Sequence, residues 1–352
     1  MTVRERILES MFGGSPDQVP FTIYEMLFPR GIYERAIREL GLGLVMRPPA
    51  HTFKHKNVEI ISREYWEDGR KRIRRTIKTP VGEVWQTLEP DVQAYGDSNW
   101  IIHHFIKKPD DYRVMEYYFT DLLFHDDYGH LKELIRRIGD DGVVYVRISK
   151  TPMQEMLYQI MGMERFSIDY YDQRELFDSL HETIYERYRE LFAIACESPV
   201  DILLLADNIT SDVVGTQRYR KYLMPVYQEL KRVMSGTDKK LGVHIDGNVA
   251  CLADDVARSD MDIVEAFTPP PMGDFSVADA RKLWKNKALW INFTSSVHIE
   301  SEDAIRNHTT QLLEEAETSR GFAVGVTENA PIGALEKSLP VIADVIREFG
   351  AY

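Results

Sequence analysis

The chain has 352 residues, of which 44% are hydrophobic, so it is long enough to bury a large core. Its formal net charge of -13 argues against a nucleic-acid-binding protein, because phosphate recognition requires clustered lysines and arginines. Two cysteines, Cys196 and Cys251, are too few for a disulfide framework, and no apolar run approaches the ~20 residues of a membrane-spanning helix. We therefore expect a cytoplasmic protein with neither a membrane nor a nucleic acid as its partner.

The first part of the chain predicts one helix, two strands and an insertion. A short amphipathic helix is expected over residues 2–12, followed by strands in QVPFTIYEML and LGLVMR. From about residue 57 to residue 90, polar and apolar residues alternate with period two around two turns that contain glycine, DG and VG. This alternation predicts an antiparallel β-hairpin insertion after the second strand.

From Val143 onward, short β-branched runs alternate with segments of helical period. This order is typical of βα units on a parallel sheet. The six runs are VVYVRIS, DILLLADN, KLGVHID, MDIVEAF, ALWINF and GFAVGVTE. Together with the two earlier strands they make eight, the number that closes a (β/α)8 TIM barrel. We therefore predict an α/β fold in which residues 1–352 form a single (β/α)8 barrel domain.

Polar residues stand near the ends of several predicted strands, where a (β/α)8 barrel carries its chemistry. They are Asp207, Asn208, His244, Asp246, Glu265, Asn292 and Glu328. His244 and Asp246 are two positions apart, so both side chains project to the same side of their strand. Glu265 and Glu328, from the sixth and eighth strands, would complete a set of nitrogen and oxygen ligands suited to zinc or another divalent metal.

A second interpretation of these polar residues stays open. Their side chains would then hydrogen-bond one another and the loop backbone, or hold a polar substrate without a metal. Tyr24, Met26 and Phe28 follow the first strand and FTPPPMGD follows the sixth, so the mouth would be lined by aromatic, proline and methionine side chains. Such a lining suits a small, largely apolar ligand with one or two polar groups. Packing of Tyr24 and Phe28 between barrel and helices is the alternative.

Four segments, in consistent order over nearly the whole chain, carry one resemblance. They are RERILESMFGGSPDQVPF, MGMERFSIDYYDQRELFDSL, LLADNITSDVVGTQRYRKYLMPVYQELKRV and VHIDGNV. Together they resemble the uroporphyrinogen decarboxylase family, within the barrel superfamily that also includes methionine synthase. That family holds porphyrinogen decarboxylases and corrinoid-dependent methyltransferases. The resemblance implies a (β/α)8 barrel and one of these two activities.

The decarboxylase motifs match this chain poorly. True uroporphyrinogen decarboxylases carry an arginine-rich segment after the first strand, which binds the carboxylates of the substrate. Here only Arg30 remains in that segment, and Glu25 would repel an anionic tetrapyrrole. The decarboxylase histidine near the C-terminus falls where this chain has Glu328. The resemblance therefore implies that an octacarboxylate is a poor substrate.

The methyltransferase branch matches more closely. It places H-x-C after the fifth strand and a further cysteine after the eighth, and these residues hold a zinc ion. This chain matches the histidine at His244 and the following Gly-Asn at Gly247 and Asn248, and it offers Asp246 and Glu328 in place of the two cysteines. Oxygen ligands make zinc a harder Lewis acid, which suits polarising a bound oxygen better than delivering a thiolate.

We therefore predict the methyltransferase component of a corrinoid-dependent demethylation system. It would move a methyl group from a small methylated compound, such as a methoxylated aromatic, to the cobalt of a separate corrinoid protein. The predicted catalytic residues are Glu328, Glu265 and Asp207. The predicted substrate-binding residues are Tyr24, Glu25, Phe28, Asn208, Asn248 and Asn292. The predicted ligands of zinc or another divalent metal are His244, Asp246 and Glu328. A decarboxylase for a porphyrinogen or a smaller carboxylate, and a barrel that only binds a ligand or a corrinoid partner, are the alternatives. The oligomeric state stays open, with a homodimer as one option.

Overall fold

The computed structural model describes residues 1–90 and 99–351. Its strands are, in chain order, Phe21–Tyr24 (β1), Leu42–Met46 (β2), His51–His55 (β3), Glu59–Glu67 (β4), Arg70–Thr79 (β5), Gly82–Glu89 (β6), Trp100–His103 (β7), Leu122–Asp126 (β8), Gly142–Val144 (β9), Val146–Arg147 (β10), Ile202–Ile209 (β11), Lys240–Ile245 (β12), Ile263–Phe267 (β13), Ala288–Asn292 (β14) and Phe322–Val326 (β15). Its α-helices are Val3–Met11 (α1), Ile32–Glu39 (α2), Asp110–Thr120 (α3), Tyr128–Ile138 (α4), Pro152–Glu155 (α5), Gly162–Asp172 (α6), Arg174–Glu197 (α7), Ser211–Arg218 (α8), Met224–Val233 (α9), Ala253–Arg258 (α10), Val277–Leu283 (α11), Glu302–Ala316 (α12) and Ile332–Phe349 (α13). None of these helices is long and apolar enough to span a membrane.

All eight runs that the sequence predicts as barrel strands join one parallel sheet. Its order is β10-β11-β12-β13-β14-β15-β1-β2-β9. β9 and β10 both belong to the run VVYVRIS and are separated only by Tyr145, whose backbone N–H donates to the carbonyl of Met46 at 3.1 Å. β9 pairs with β2 and β10 pairs with β11, so the barrel is nearly closed. The predicted α/β barrel of parallel strands is confirmed.

A tryptophan occupies the interior of the barrel and explains a glycine on the neighbouring strand. The indole N–H of Trp290 donates to Thr22 Oγ1 at 2.8 Å, and its ring meets the Tyr145 ring edge-on at 6.0 Å between centroids. Trp290 and Thr22 are almost completely buried. A Cβ atom added at Gly325 would lie 3.1 Å from Trp290 Nε1 and 3.2 Å from Thr22 Oγ1. Trp290, Thr22 and the backbone oxygen of Ile291, also at 3.1 Å, thus leave little room for a side chain at position 325.

We expect Gly325→Ala to lower the free energy of unfolding by about 1–3 kcal/mol, because a close-packed interior resists an added methyl group. Gly333→Ala is the matched control, since no atom lies within 4 Å of a Cβ at that position of α13, and alanine is the better helix former. Urea denaturation of both variants measures the difference. Equal midpoints for the two variants would show that the barrel interior tolerates the methyl group.

The antiparallel insertion follows the second barrel strand, as predicted, but it is longer. β4, β5 and β6 pair antiparallel, and the turn between β4 and β5 consists of Asp68 and Gly69, both with left-handed φ angles of 50° and 74°. Two such residues are typical of a two-residue hairpin turn. A fourth strand, β7, pairs with β6 and lies beyond residue 90. The sheet therefore extends past residue 90. The predicted boundary lies there because the alternating pattern of the sequence ends at Pro90.

The chain divides into two compact units. The unit that contains the barrel comprises Met1–Pro48, Tyr128–Arg147 and Ser198–Tyr352. The other comprises Pro49–Asp127 and Ile148–Glu197, and it contains the antiparallel sheet β4–β7, the strand pair β3 and β8, and helices α3, α5, α6 and α7. The prediction that residues 1–352 form one domain stays a prediction.

Candidate active site

Two neighbouring barrel strands bring a histidine and a glutamate into contact. β12 and β13 are paired so that His244 lies opposite Glu265, and paired positions share one face of a sheet. The imidazole Nδ1 lies 2.7 Å from Glu265 Oε2. Both residues are nearly inaccessible, with 8% of His244 and 2% of Glu265 exposed. The contact therefore holds the imidazole in one orientation near the end of β12.

Two tyrosine hydroxyls complete the surroundings of the Glu265 carboxylate. Tyr24, the last residue of β1, donates a short hydrogen bond to Oε1, and Tyr145 donates to the same oxygen at 3.0 Å. Burial, and then the charge of Glu265, raises the pKa of both tyrosines well above the ordinary value. Both hydroxyls therefore stay protonated and act as donors. We call Glu265, His244, Tyr24 and Tyr145 the Glu265 cluster.

The carboxylate at the centre of the Glu265 cluster is ionised. Burial raises the pKa of Glu265, but the charge and hydrogen bond of His244, followed by the Tyr24 hydroxyl and the charge of Arg47, outweigh it, so the net shift is downward. An ionised Glu265 accepts the Nδ1–H of His244, which leaves Nε2 as the ring nitrogen for a ligand. No side chain of the described residues hydrogen-bonds Nε2.

Two carboxyl groups lie together beside this cluster. Glu328 accepts a hydrogen bond from Ser295 Oγ at 2.6 Å, and the carboxyl of Asp246 is its neighbour. Burial is the main cause that raises the pKa of Glu328; the Ser295 hydroxyl opposes it and the charge of Asp246 adds to it, so the net shift is upward. The charge of His244 also acts on the pKa of Glu328, in the opposite direction. We call Asp246 and Glu328 the acid pair.

Asn292 holds the chain segment that carries Glu328. Its Oδ1 accepts the backbone N–H of Thr327 at 3.0 Å, and its Nδ2 donates to Thr268 Oγ1 at 3.2 Å. The side chain is completely buried. Both ends of the amide are thus hydrogen-bonded within the protein. The bond to the backbone of Thr327 positions the residue directly before Glu328. The predicted role of Asn292 in binding substrate stays a prediction.

Asp207 points toward a helix, although it was predicted to be catalytic. Its carboxylate is completely buried and accepts a hydrogen bond from Tyr227 of α9 at 2.8 Å. Burial, and then the charge of Asp207, raises the pKa of Tyr227 well above its ordinary value, so this hydroxyl stays a donor. Asn208, the next residue, is half-buried and adopts a left-handed φ of 50°. The structure brings Asp207 into contact with helix α9, and its predicted catalytic role stays a prediction.

The other predicted substrate-binding residues lie on the loops after β1 and β12. Phe28 is buried, with 4% exposed. The half-buried Glu25 forms an ion pair with Arg30 at 2.9 Å. Asn248 is also half-buried and donates from Nδ2 to Asp212 at 3.1 Å. Glu25 and Asn248 thus have polar partners within the protein, whereas Tyr24 is a member of the Glu265 cluster.

Three further residues at the site are not predicted from the sequence: Tyr145, Arg47 and Ser295. Tyr145 interrupts the run VVYVRIS and Arg47 ends the run LGLVMR. The guanidinium carbon of Arg47 lies 3.3 Å from the centroid of the Tyr24 ring. A polar group in or just after an apolar run was the signal used for the other strands, and it could have found these two residues. Ser295, in the loop after β14, carries no such signal.

The donor atoms match the preference of zinc, and the metal site predicted at His244, Asp246 and Glu328 stays a prediction. His244 would supply a nitrogen and the acid pair carboxylate oxygens, and Glu265 binds the other imidazole nitrogen as a carboxylate does behind many metal-bound histidines. Within residues 1–90 and 99–351, however, no group of three or more His, Cys, Asp or Glu side chains is placed to hold an ion.

In fold, the chain is similar to a methyltransferase from Methanosarcina mazei. The two share 15% sequence identity over 99% of each chain, with a TM-score of 0.61. A B12-independent methionine synthase from Shewanella sp. W3-18-1 shares 10% identity over 94% of this chain and 98% of its own, with a TM-score of 0.43. No family model and no curated protein matches the sequence. The first similarity shows the barrel fold, and membership of the uroporphyrinogen decarboxylase family stays a prediction.

Proposed function

We propose that the chain is a methyltransferase that moves a methyl group from a small methylated compound to the cobalt of a separate corrinoid protein. The acid pair carries this proposal, because cleavage of a methyl–oxygen bond needs a proton for the leaving oxygen. A carboxyl with a raised pKa, such as Glu328, keeps its proton to a higher pH than an ordinary glutamate does. The similarity in fold to the Methanosarcina mazei methyltransferase supports the same class.

In the proposed reaction, the bond between the methyl carbon and the substrate oxygen breaks, and its electron pair stays on the oxygen. Glu328 donates a proton to that oxygen. The methyl group passes to cobalt in its +1 state, which has the electron pair for the new bond. His244, held through Nδ1 by Glu265, offers Nε2 as a hydrogen-bonding nitrogen beside the acid pair.

A divalent metal in this site is a separate proposal. If bound by His244, Asp246 and Glu328, zinc or a similar ion would polarise the substrate oxygen as a Lewis acid. Elemental analysis of the purified protein tests this proposal without reference to activity.

The decarboxylase alternative is weakened by the contacts of Arg30. This residue is the arginine of the segment that follows β1, where porphyrinogen decarboxylases are expected to bind carboxylates. Its guanidinium already binds Glu25 at 2.9 Å and Glu34 at 2.7 Å. Two carboxylates thus neutralise the charge that would attract those of a porphyrinogen.

The proposed function is tested by incubating the purified protein with cob(I)alamin and a panel of methoxylated aromatic compounds. We expect loss of the cob(I)alamin absorbance together with an equal amount of the demethylated phenol. Uroporphyrinogen serves as the second substrate, and we expect no coproporphyrinogen from it. Decarboxylation of the porphyrinogen without any methyl transfer would reverse the assignment.

A further inference from the structure

Arg47 adds a positive charge beside the Glu265 cluster and acts on the pKa of Glu265 without forming an ion pair with it among the described residues. The half-buried guanidinium stacks on the ring of Tyr24, at 3.3 Å from its centroid, and also contacts the Tyr24 hydroxyl. Its remaining contact is with the sulfur of Met26 at 3.6 Å, a weak acceptor. Among the residues that the structure describes, no carboxylate forms an ion pair with Arg47.

The guanidinium of Arg47 therefore keeps free hydrogen-bond donors. An arginine has five N–H donors in a planar fork, a shape that matches a carboxylate. A half-buried N–H donor without an acceptor lowers the stability of the protein, unless a ligand or a water molecule supplies the acceptor. Glu265 does not supply these acceptors, because its carboxylate accepts from His244, Tyr24 and Tyr145 and forms no hydrogen bond with Arg47 among the described residues.

Charges of opposite sign stand at the two ends of a chain of contacts. The contacts run from Arg47 to Tyr24, from Tyr24 to Glu265 and from Glu265 to His244, whose charge acts on Glu328. An anionic group on a ligand is attracted to the guanidinium, whereas the acid pair offers it no positive charge. A ligand with one carboxylate would therefore bind in one orientation, with its uncharged end toward the acid pair.

We propose that the methyl donor carries a carboxylate and that Arg47 binds this group, which turns the methyl-bearing oxygen toward the acid pair. The proposal rests on the proposed methyltransferase function and names the class of its substrate, a small methoxylated aromatic acid. In this proposal, Arg47 determines which methyl donors the protein binds. A neutral methoxylated compound of the same size would lack the group that Arg47 binds.

Binding of two matched probes, 3-methoxybenzoate and 3-methoxybenzyl alcohol, tests the proposal by calorimetric titration without a corrinoid. We expect the wild-type protein to bind the acid about 10- to 100-fold more tightly than the alcohol, the range for a hydrogen-bonded charge. Arg47→Gln should remove this preference, and Arg47→Lys should keep part of it, since a lysine retains the charge but not the planar fork. Arg35→Gln, at an exposed arginine of α2, is the control and should bind like the wild type.

Three outcomes are decisive. Equal affinities of the wild type for both probes, or a preference for the acid that survives Arg47→Gln, would overturn the proposal. So would an Arg47→Gln protein that loses affinity for acid and alcohol alike, because Arg47 would then serve only to keep Glu265 ionised. Thermal melting of each variant confirms that it is folded. Binding of the acid that depends on Arg47, without any methyl transfer, would support the carboxylate site and contradict the proposed methyltransferase function.

Discussion

His244→Ala is expected to lower the rate of methyl transfer by about 100-fold or more, the contribution typical of a positioned imidazole. The substitution removes Nε2, the ring nitrogen that the Glu265 cluster leaves for a ligand. It also removes the Nδ1–H from a buried, ionised carboxylate, so we expect a loss of about 1–3 kcal/mol in the free energy of unfolding. The rate of cob(I)alamin methylation and the urea midpoint measure the two effects.

The loss of activity must be separated from a loss of folded protein. The two tyrosines still donate to Glu265 in the variant, so the site keeps two of its three hydrogen bonds to that carboxylate. His125→Ala, at an exposed histidine of β8, is the control and should change neither quantity. A folded His244→Ala protein with wild-type activity would remove His244 from the site. Metal analysis of the same samples shows whether His244 is also a ligand.

The barrel could be predicted because its signal is repeated along the chain. Each of the eight strands is a short apolar run, and strands such as β13, β14 and β15 are buried along their whole length, as parallel barrel strands must be. The third run is the exception, since Tyr145 divides it into β9 and β10. An apolar run in the sequence indicates that a strand is buried. It does not show where a single residue interrupts the hydrogen-bonding pattern of that strand.

The candidate site was predictable only in part. The spacing of His244 and Asp246 indicates that both side chains lie on one side of β12, but the contact between His244 and Glu265 depends on the register of two strands. A sequence pattern does not contain that register. It also does not show that Asp207 would find Tyr227 on α9 as its partner. Tyr145 is not predicted because it stands inside an apolar run, and Arg47 is not predicted because it ends one.

Glu328→Gln is expected to slow methyl transfer by about 100-fold or more and to stabilise the metal-free protein at neutral pH. The rate falls because glutamine has no proton to give to the leaving oxygen. The wild-type rate should decrease as the pH rises through the pKa of Glu328, which lies above its ordinary value of 4.5. This decrease should be absent in the variant, because glutamine does not titrate.

The raised pKa of Glu328 also determines whether Glu328→Gln stabilises or destabilises the fold. Below about pH 4.5, the carboxyl is protonated in both the folded and the unfolded chain and contributes nothing. Above that value the unfolded chain ionises first, so Glu328 destabilises the fold increasingly until the pH passes its folded-state pKa. Glutamine avoids this cost and can still accept from Ser295 and donate to Asp246. In chelator-treated protein we therefore expect the variant to be more stable than the wild type at pH 8 and equally stable at pH 4.

The stability of Glu328→Gln also separates an acid from a metal ligand. Glu314→Gln, at an exposed glutamate of α12, is the control and should leave the urea midpoint unchanged at both pH values. If Glu328 binds a metal in the protein as purified, its replacement removes a ligand, so the untreated variant loses both metal and stability relative to the untreated wild type. If Glu328 is the proton donor, the untreated variant is more stable at pH 8 and its metal content equals that of the wild type. A variant that is destabilised at pH 8 even after chelation would show that the carboxyl of Glu328 stabilises the fold, and it would contradict the role of the acid pair.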